Sequence, residues 1–239
     1  MQPDPAMSRF NPLEKNGMTS FLPPNRSVLV RPAAREEFPR IAQILIQLYA
    51  AELPGALSGS PAGQQALLEF TLAAKQAQGL QGRYVACNGA GDILATGTVE
   101  YPGATPYERA PDGTIQLAVA RIGYRATARL LLTVARSMVP SPRPSTPNAV
   151  WLHSVVVDER HRGQGVGRVL INGLEAQASA QGYQAVWLQV LAMNQPARQL
   201  YQQLGYKEMW SSPRWHGMLT WPSYLMRKAL PAGPATNTA

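Results

Sequence analysis

A glycine-rich segment between two apolar stretches, RGQGVGR at 162–168, has the residue types of a phosphate-binding loop. Glycines let a backbone approach a ligand closely, and an apolar helical pattern begins at Val166. Unpaired N–H groups at a helix N-terminus, together with the helix dipole, attract anions. Arg162 and Arg168 add positive charge at the same point. The segment therefore predicts a site for a phosphate or pyrophosphate group.

Two well-known nucleotide-binding patterns do not fit this spacing. A dinucleotide fingerprint, G-x-G-x-x-G, needs its third glycine at position 168, whereas the sequence has Gly167 followed by Arg168. A P-loop needs G-K-[ST] after four intervening residues, and this segment contains no lysine. A plain glycine turn between a strand and a helix stays open as the alternative to an anion site.

A second segment, NQPARQLYQQLG at 194–205, predicts a short helix. Asn194 is a candidate N-cap because its side chain can accept a hydrogen bond from the first helical amides, and Gly205 follows the helix end. Ala197 and Tyr201 share one helical face. On this spacing alone, Tyr201 is best interpreted as a packed residue.

Together the two segments resemble the GCN5-related N-acetyltransferase (GNAT) superfamily. RGQGVG at 162–167 is similar to the signature R/Q-x-x-G-x-G/A, which in that family binds the pyrophosphate of acetyl-coenzyme A. VVVDERH before it resembles the family's fourth strand, and segment 194–206 resembles the pattern N-x-x-A-x-x-L-Y-x-x-x-G-[FY]. The resemblance is strong over 149–210 and extends as a topology from 27 to 230, whereas the segment 103–148 departs from it as an insert.

The resemblance implies acetyl-CoA as co-substrate and no metal. The backbone amides from Gly163 to Arg168 would bind the pyrophosphate, and the strand at 155–157 would bind the pantetheine arm as an added strand. An amide of that strand would also stabilise the developing oxyanion. The cofactor-binding residues implied in this way are Val155, Val156, Val157, Arg162, Gly163, Gln164, Gly165, Val166, Gly167, Arg168, Asn194, Ala197 and Arg198.

The resemblance also implies direct attack of an amine on the thioester, with Tyr201 as the general acid that protonates the departing thiolate. A phenol with a pKa of about 10 can donate to a thiolate whose conjugate acid has a pKa of about 8.5. The base is open between Glu100 at the end of the third strand, His153 on the fourth, and water relayed from either; Glu100 is the first candidate. A non-catalytic acyl-CoA-binding or regulatory module, with Tyr201 structural, is the alternative.

Apolar periodicity predicts the elements that must position these residues. Their order, β-α-α-β-β-insert-β-α-β-α-β-β, indicates a single α/β domain with a mixed, mostly antiparallel sheet. A central parallel βαβ pair would be splayed to hold acetyl-CoA, with helices on both faces. The expected divisions are a flexible arm at 1–26, the domain at 27–230 and a flexible tail at 231–239. The first strand is expected at SVLVRP, 27–32, and Pro32, its last residue, is expected near the start of the first helix.

The insert at 103–148 is expected to be partly helical, around Leu117–Met138, with a Pro-rich end. The segment 103–149 has six arginines and two acidic residues. Its net charge of +4 (6 − 2) is half of the formal net charge of +8 of the chain. In one continuous helix, Arg121, Arg125 and Arg129 would form a stripe, either a solvated face or a rim that attracts an anion. The sequence has no run of basic residues, which disfavours a nucleic-acid partner.

The remaining composition bounds the setting and the acceptor. No apolar window is long enough for a membrane span, and Cys87, the single cysteine, fits packing in a reducing cytoplasm. The acceptor would be an amine of a small molecule or of a protein or peptide, and a homodimer is left open. The acceptor site is expected where the first helices, near Tyr49 and Glu52, meet the insert and the loop 211–221. The aromatic residues expected to line it are Trp210, Trp215 and Trp221.

Overall fold

The computed structural model describes residues 28–77, 82–102, 110–137, 142, 144, 146–213, 217 and 220–231. The predicted arm at 1–26, nearly all of the predicted tail at 231–239 and Trp215 lie outside the described residues. Among the helices of the described part, none is long and apolar enough to cross a membrane.

The described residues form one sheet and six α-helices. The strands are β1 (Leu29–Pro32), β2 (Arg83–Cys87), β3 (Ile93–Glu100), β4 (Ala149–Val157), β5 (Ala185–Leu191), β6 (Lys207–Ser211) and β7 (Ser223–Ala229). The helices are α1 (Phe38–Glu52), α2 (Pro61–Ala77), α3 (Thr114–Ile122), α4 (Tyr124–Ser137), α5 (Val166–Ala180) and α6 (Gln195–Gln203), with 3-10 turns at Arg35–Glu37 and Glu159–His161.

The seven strands lie in the order β1-β2-β3-β4-β5-β7-β6. All neighbours are antiparallel except β4 and β5, which are parallel and connected through α5. A parallel connection needs a crossover element, and the helical pattern after RGQGVG supplies it. The predicted mixed α/β sheet with a central βαβ pair is confirmed.

Helices cover both faces of the sheet. Leu170, Ile171 and Leu174 of α5 are fully buried against one face, and Ile41 and Ile44 of α1 are fully buried against the other. Each helix brings an apolar stripe to the sheet at helical spacing, while most strand positions between the two layers are apolar on both sides. Burial of these faces holds the two sides of the functional site together.

The start of the first helix differs from the prediction. Pro32 ends β1, where it pairs with Tyr84, and the proline in the first turn of α1 is Pro39. A proline lacks an N–H donor, so it is tolerated in an edge strand such as β1. It also fits the first helical turn, where the amide has no partner in any case, and the sequence pattern alone did not separate these two uses.

Within residues 110–137, the main described part of the insert, there are two helices, α3 and α4, in place of one continuous helix. Gly123 ends α3 with a positive φ of 84°, and α4 starts at the next residue. Arg121 therefore lies on α3 while Arg125 and Arg129 lie on α4, so the stripe expected from one continuous helix is wrong. α3 packs on α2 so closely that a Cβ on Gly63 would lie 2.1 Å from the carbonyl oxygen of Arg121.

Candidate active site

The site begins where the two parallel strands separate. β4 and β5 pair from Ala149↔Ala185 to Leu152↔Leu188, and their register goes no further, although both strands continue. At the paired end, the rings of Trp151 and Trp187 stack with centroids 6.2 Å apart. Beyond Leu152, the edge of β4 that faces β5 is open to a ligand.

A β-bulge in β4 shapes this opening. On β3, one residue separates Thr96 from Thr98, whereas two residues separate their partners on β4, Val156 and His153. Ser154, inside the bulge, has a positive φ of 50°. A bulge adds an unpaired residue and bends its strand, and here it turns β4 away from β5.

A cleft of about 380 Å³, partly open to solvent, fills the gap between the diverging strands. Its walls come from α1, β4, β5 and α6. The lining residues are Leu48, Glu52, Leu152, His153, Ser154, Val155, Gln189, Val190, Asn194, Ala197 and Tyr201. Four of the residues predicted from the sequence for binding or acid catalysis therefore meet in one cleft: Val155, Asn194, Ala197 and Tyr201.

The predicted anion site lies at the N-terminus of α5. Gly165 occupies the N-cap position with φ 79° and ψ −2°, and no side chain caps the helix. The first-turn amides, including those of Val166 to Arg168, are the groups that an α-helix leaves without an intrahelical partner. The absence of a capping side chain leaves this helix end suited to a bound anion.

The three glycines of the loop are required for different structural reasons. Gly163 and Gly165 have positive φ angles of 72° and 79°, which side chains with a Cβ disfavour. Gly167 sits under close packing instead, because a Cβ there would lie 3.3 Å from both Leu200 and Val157. The loop thus needs glycine for backbone conformation at two positions and for contact between α5 and its neighbours at the third.

The polar side chains of this region have protein partners. Arg162 Nε donates to the carbonyl of Val157 at 3.2 Å, and Gln164 Nε2 donates to the carbonyl of Arg160 at 3.1 Å. Arg168 Nη2 donates to Gln203 at 2.8 Å. Arg162 and Gln164 therefore help to hold the loop itself.

Arg198 occupies a position away from the cleft lining. Its Nε donates to Glu208 Oε1 at 2.6 Å, and its guanidinium lies 3.9 Å from the centroid of the Tyr224 ring. Contact between Arg198 and a cofactor phosphate would require this pair to separate.

Asp158 links the strand end before the glycine-rich loop 162–168 to α1. Its carboxylate is fully buried and accepts hydrogen bonds from Arg40 Nη2 and from the amide of Arg160. Gln47 adds a second link, since its Oε1 accepts from the amide of Glu159 at 2.9 Å. Burial by itself raises the pKa of Asp158, but the hydrogen bonds from Arg160 and Arg40 outweigh it and leave the pKa below its usual value.

Tyr201 lies on α6, where its side chain packs in the core and also lines the cleft. It is buried, and its ring meets that of Tyr206 edge-on at 5.6 Å. Its hydroxyl has no hydrogen-bond partner among the described residues. Burial raises the pKa of Tyr201 well above its ordinary value, and the negative charge of Glu52 raises this pKa further, by a smaller amount. The phenol is therefore held in its protonated form.

Asn194 joins the helix that carries Tyr201 to the end of α1. Its Oδ1 accepts from the amide of Ala197 at 3.2 Å, which confirms the predicted N-cap, and its Nδ2 donates to Glu52 Oε1 at 2.7 Å. Burial raises the pKa of Glu52, and the hydrogen bond from Asn194 partly offsets this. The sequence placed Glu52 near the acceptor region but gave it no role, because nothing local indicates a contact 142 residues away.

The two predicted base candidates are neighbours. His153 Nε2 lies 4.0 Å from Glu100 Oε2, and His153 Nδ1 lies 3.1 Å from Ser154 Oγ. His153 and Ser154 line the cleft, whereas Glu100 stands behind His153. Ser154 was not singled out in the sequence, because the bulge that brings it to the cleft has no sequence pattern of its own.

Comparison with known proteins agrees with this geometry. Residues 107–206 match the Acetyltransferase (GNAT) family. A crystal structure of an acetyltransferase has 26% sequence identity and a TM-score of 0.58, covering 85% of this chain and 100% of that one. The structure of yncA from Salmonella typhimurium, solved with its cofactor acetyl-CoA, has 15% identity and a TM-score of 0.51, covering 89% of this chain and 99% of that one.

An uncharacterised protein of Mycobacterium leprae is 35% identical over 77 residues, which is 32% of this chain. The match covers 21% of that protein, so the chain spans about a fifth of the curated relative's length. The split parallel pair and the uncapped α5 agree with the match of residues 107–206 to the Acetyltransferase (GNAT) family and with the similarity to the solved acetyltransferase.

Proposed function

We propose that this chain transfers the acetyl group of acetyl-CoA to a primary amine. The observation that carries the proposal is the open edge of β4 beyond Leu152, which leads directly from the uncapped end of α5 to Tyr201. A pantetheine arm could hydrogen-bond to that edge as an added strand. Its pyrophosphate would then meet the amides from Gly163 to Arg168.

We propose the same cofactor contacts as the sequence suggested, with backbone groups making the main contacts and the charged side chains a smaller contribution. The backbone of Val155, Val156 and Val157 would bind the arm, and Ala197 and Asn194 would bound the cleft opposite it. The loop would bind the pyrophosphate through its backbone. The side chains of Arg162, Gln164, Arg168 and Arg198 would contribute mainly positive charge and loop geometry, since each already has a protein partner.

The chemical step is a direct attack of the amine nitrogen on the thioester carbonyl carbon. The C–N bond forms, the C–S bond breaks, and the sulfur leaves as a thiolate that takes the proton of Tyr201. The nitrogen loses one proton as it becomes an amide, and a proton returned to the phenolate restores Tyr201. Amides at the bulge of β4 would stabilise the oxyanion, and the fixed positions of both reactants would supply much of the acceleration. No covalent enzyme intermediate is required.

Glu100 stays our proposal for the base, acting through His153. His153 faces the cleft, and the carboxylate of Glu100 lies 4.0 Å from its Nε2, where it would stabilise the imidazolium formed when the amine loses its proton. Replacing Glu100 by Gln should then lower kcat and shift the pH–rate profile. An unchanged profile would remove Glu100 from the mechanism.

The experiment that tests the function is release of the CoA thiol from acetyl-CoA in the presence of primary amines, combined with direct measurement of acetyl-CoA binding. Binding together with amine-dependent release supports the enzyme. Binding without release, for every amine offered, would favour an acyl-CoA-binding module. No binding would contradict both. The cytoplasm stays the proposed location, on the basis of the single buried cysteine, Cys87.

A further inference from the structure

We infer that Glu52 binds the ammonium group of the acceptor, so that the acceptor enters the cleft as a cation on the side of α1. This inference rests on the proposed function and extends it to the recognition of the acceptor. It assigns a binding role to the last residue of α1, which lies outside the glycine-rich loop 162–168.

The charge in the cleft is the first support. The chain has a formal net charge of +8, yet among the described lining residues Glu52 is the one carboxylate, and none is a lysine or an arginine. The other ionisable lining residues are His153 and Tyr201. A partly buried carboxylate without a cationic partner costs free energy, and a bound cation would offset that cost.

The geometry of the carboxylate is the second support. Asn194 Nδ2 donates to Oε1 at 2.7 Å and fixes the direction of the group. The second oxygen, Oε2, has no hydrogen-bond partner among the described residues. An ammonium group has three donors and no acceptor, so it is suited to a carboxylate with one oxygen oriented and the other available.

The cofactor does not account for this carboxylate. The thioester end of acetyl-CoA carries no positive charge, and its phosphates would lie at the N-terminus of α5. Glu52 instead lies across the cleft from β4, near enough to Tyr201 for its charge to affect that phenol. An amine bound between Glu52 and the open edge of β4 would lie beside the proposed position of the thioester.

Binding and deprotonation are separate steps in this arrangement. Glu52 would hold the ammonium form, and the proton would leave to the pair formed by His153 and Glu100 before the nitrogen attacks. Glu52 is therefore a substrate-binding residue, and its loss should affect KM for the amine more than kcat.

The test uses the full chain and a panel of benzylamine, cadaverine, a peptide with a free N-terminus and an N-blocked peptide that contains lysine. Glu52→Gln keeps an oxygen for Asn194 but removes the charge. For each amine that is acetylated, we expect this variant to raise KM by about tenfold or more, the size of a lost charged hydrogen bond. The dissociation constant of acetyl-CoA should stay unchanged.

Two further variants separate binding from structure. Glu52→Asp keeps the charge at a shorter reach and should give an intermediate KM. Glu36→Gln, an exposed position before α1, is the matched control and should leave KM unchanged. Unfolding midpoints of all variants show whether each one folds.

The outcomes are distinct. If the wild type acetylates an amine and Glu52→Gln has the same KM, the inference is wrong while the proposed function stands. If Glu52→Gln instead weakens acetyl-CoA binding, Glu52 acts through the cofactor site, and the inference is also wrong. If the wild type acetylates none of the panel although it binds acetyl-CoA, the proposed function fails, and the inference fails with it.

Discussion

Arg40 Nη2 donates a hydrogen bond to the Oδ2 atom of Asp158, and this contact joins α1 to the residue that follows β4, ahead of the glycine-rich loop 162–168. The two residues are 118 positions apart in the chain. The carboxylate is fully buried, whereas the Arg40 side chain is 33% exposed, so Arg40 can be partly hydrated if its partner is lost. The contact therefore links the stability of the domain to the position of the loop.

Asp158→Asn should destabilise the protein and weaken acetyl-CoA binding. Loss of a charged acceptor that is hydrogen-bonded to Arg40 and to the Arg160 amide should cost about 2 kcal/mol, less than a fully buried pair because Arg40 is partly hydrated. Urea unfolding and calorimetric titration with acetyl-CoA would measure the two effects. Asp112→Asn, at an exposed position before α3, is the control. An unaltered acetyl-CoA affinity in a destabilised Asp158→Asn protein would contradict the link to the loop.

Gly163→Ala and Gly182→Ala form a matched pair. Both glycines have positive φ angles, 72° and 86°, and a Cβ at either position would meet no atom within 4 Å. Each substitution should cost about 1–2 kcal/mol of stability through backbone strain. Only Gly163→Ala should weaken acetyl-CoA binding. Its Kd should rise about tenfold for each 1.4 kcal/mol of binding free energy that the displaced backbone amides lose. Equal affinities in the two variants would argue against the loop as the pyrophosphate site.

Tyr201→Phe should reduce kcat by about 100-fold or more while acetyl-CoA binding is retained, because the variant lacks the donor for the thiolate. The hydroxyl has no hydrogen-bond partner among the described residues, so its removal should leave the unfolding midpoint nearly unchanged. Tyr206→Phe is the control, since the Tyr206 ring contacts that of Tyr201 but does not line the cleft. Similar losses of turnover in both variants would indicate packing rather than acid catalysis.

The ion pair between Arg31 and Glu37 predicts a pH-dependent contribution to stability. The hydrogen bond from Arg31 lowers the pKa of Glu37 below its ordinary value of 4.5, despite partial burial. A lowered folded-state pKa means that the stabilisation is present above the unfolded-state pKa and is lost as the pH falls through the folded-state pKa.

Glu37→Gln should therefore lower the free energy of unfolding by up to about 1 kcal/mol at neutral pH, and by much less at a pH below the folded-state pKa. Urea unfolding at both pH values, with Glu36→Gln as the exposed control, would measure this. A deficit of equal size at both pH values would show that the effect does not depend on the charge of Glu37 and would contradict the prediction.

The sequence predicted the elements of the fold well because each of them has a local signal. The strand and helix around RGQGVG and the cap at Asn194 follow from short patterns, and each is present. The break at Gly123 was missed because a single glycine is tolerated inside a helical pattern as often as it ends one.

The site was predictable only where its residues lie in motifs. Tyr201 and Val155 were placed in the cleft through such patterns, whereas Glu52, Ser154 and Asp158 were not given their roles. Their functions depend on contacts between distant parts of the chain or on the bulge in β4, and single-sequence periodicity does not report either. The proposed acceptor side of the cleft, which involves α1, is therefore the part that needed the structure.

The short register between β4 and β5 has a consequence for folding. Only four residue pairs join the strands β1–β4 to the strands β5–β7, so the sheet is two half-sheets with a narrow common seam. On the proposed binding mode, acetyl-CoA would extend that seam and would become part of the tertiary structure. Ligand binding and cohesion of the two halves would then be one linked equilibrium, visible as slower hydrogen exchange at the amides of both strands when the ligand is bound.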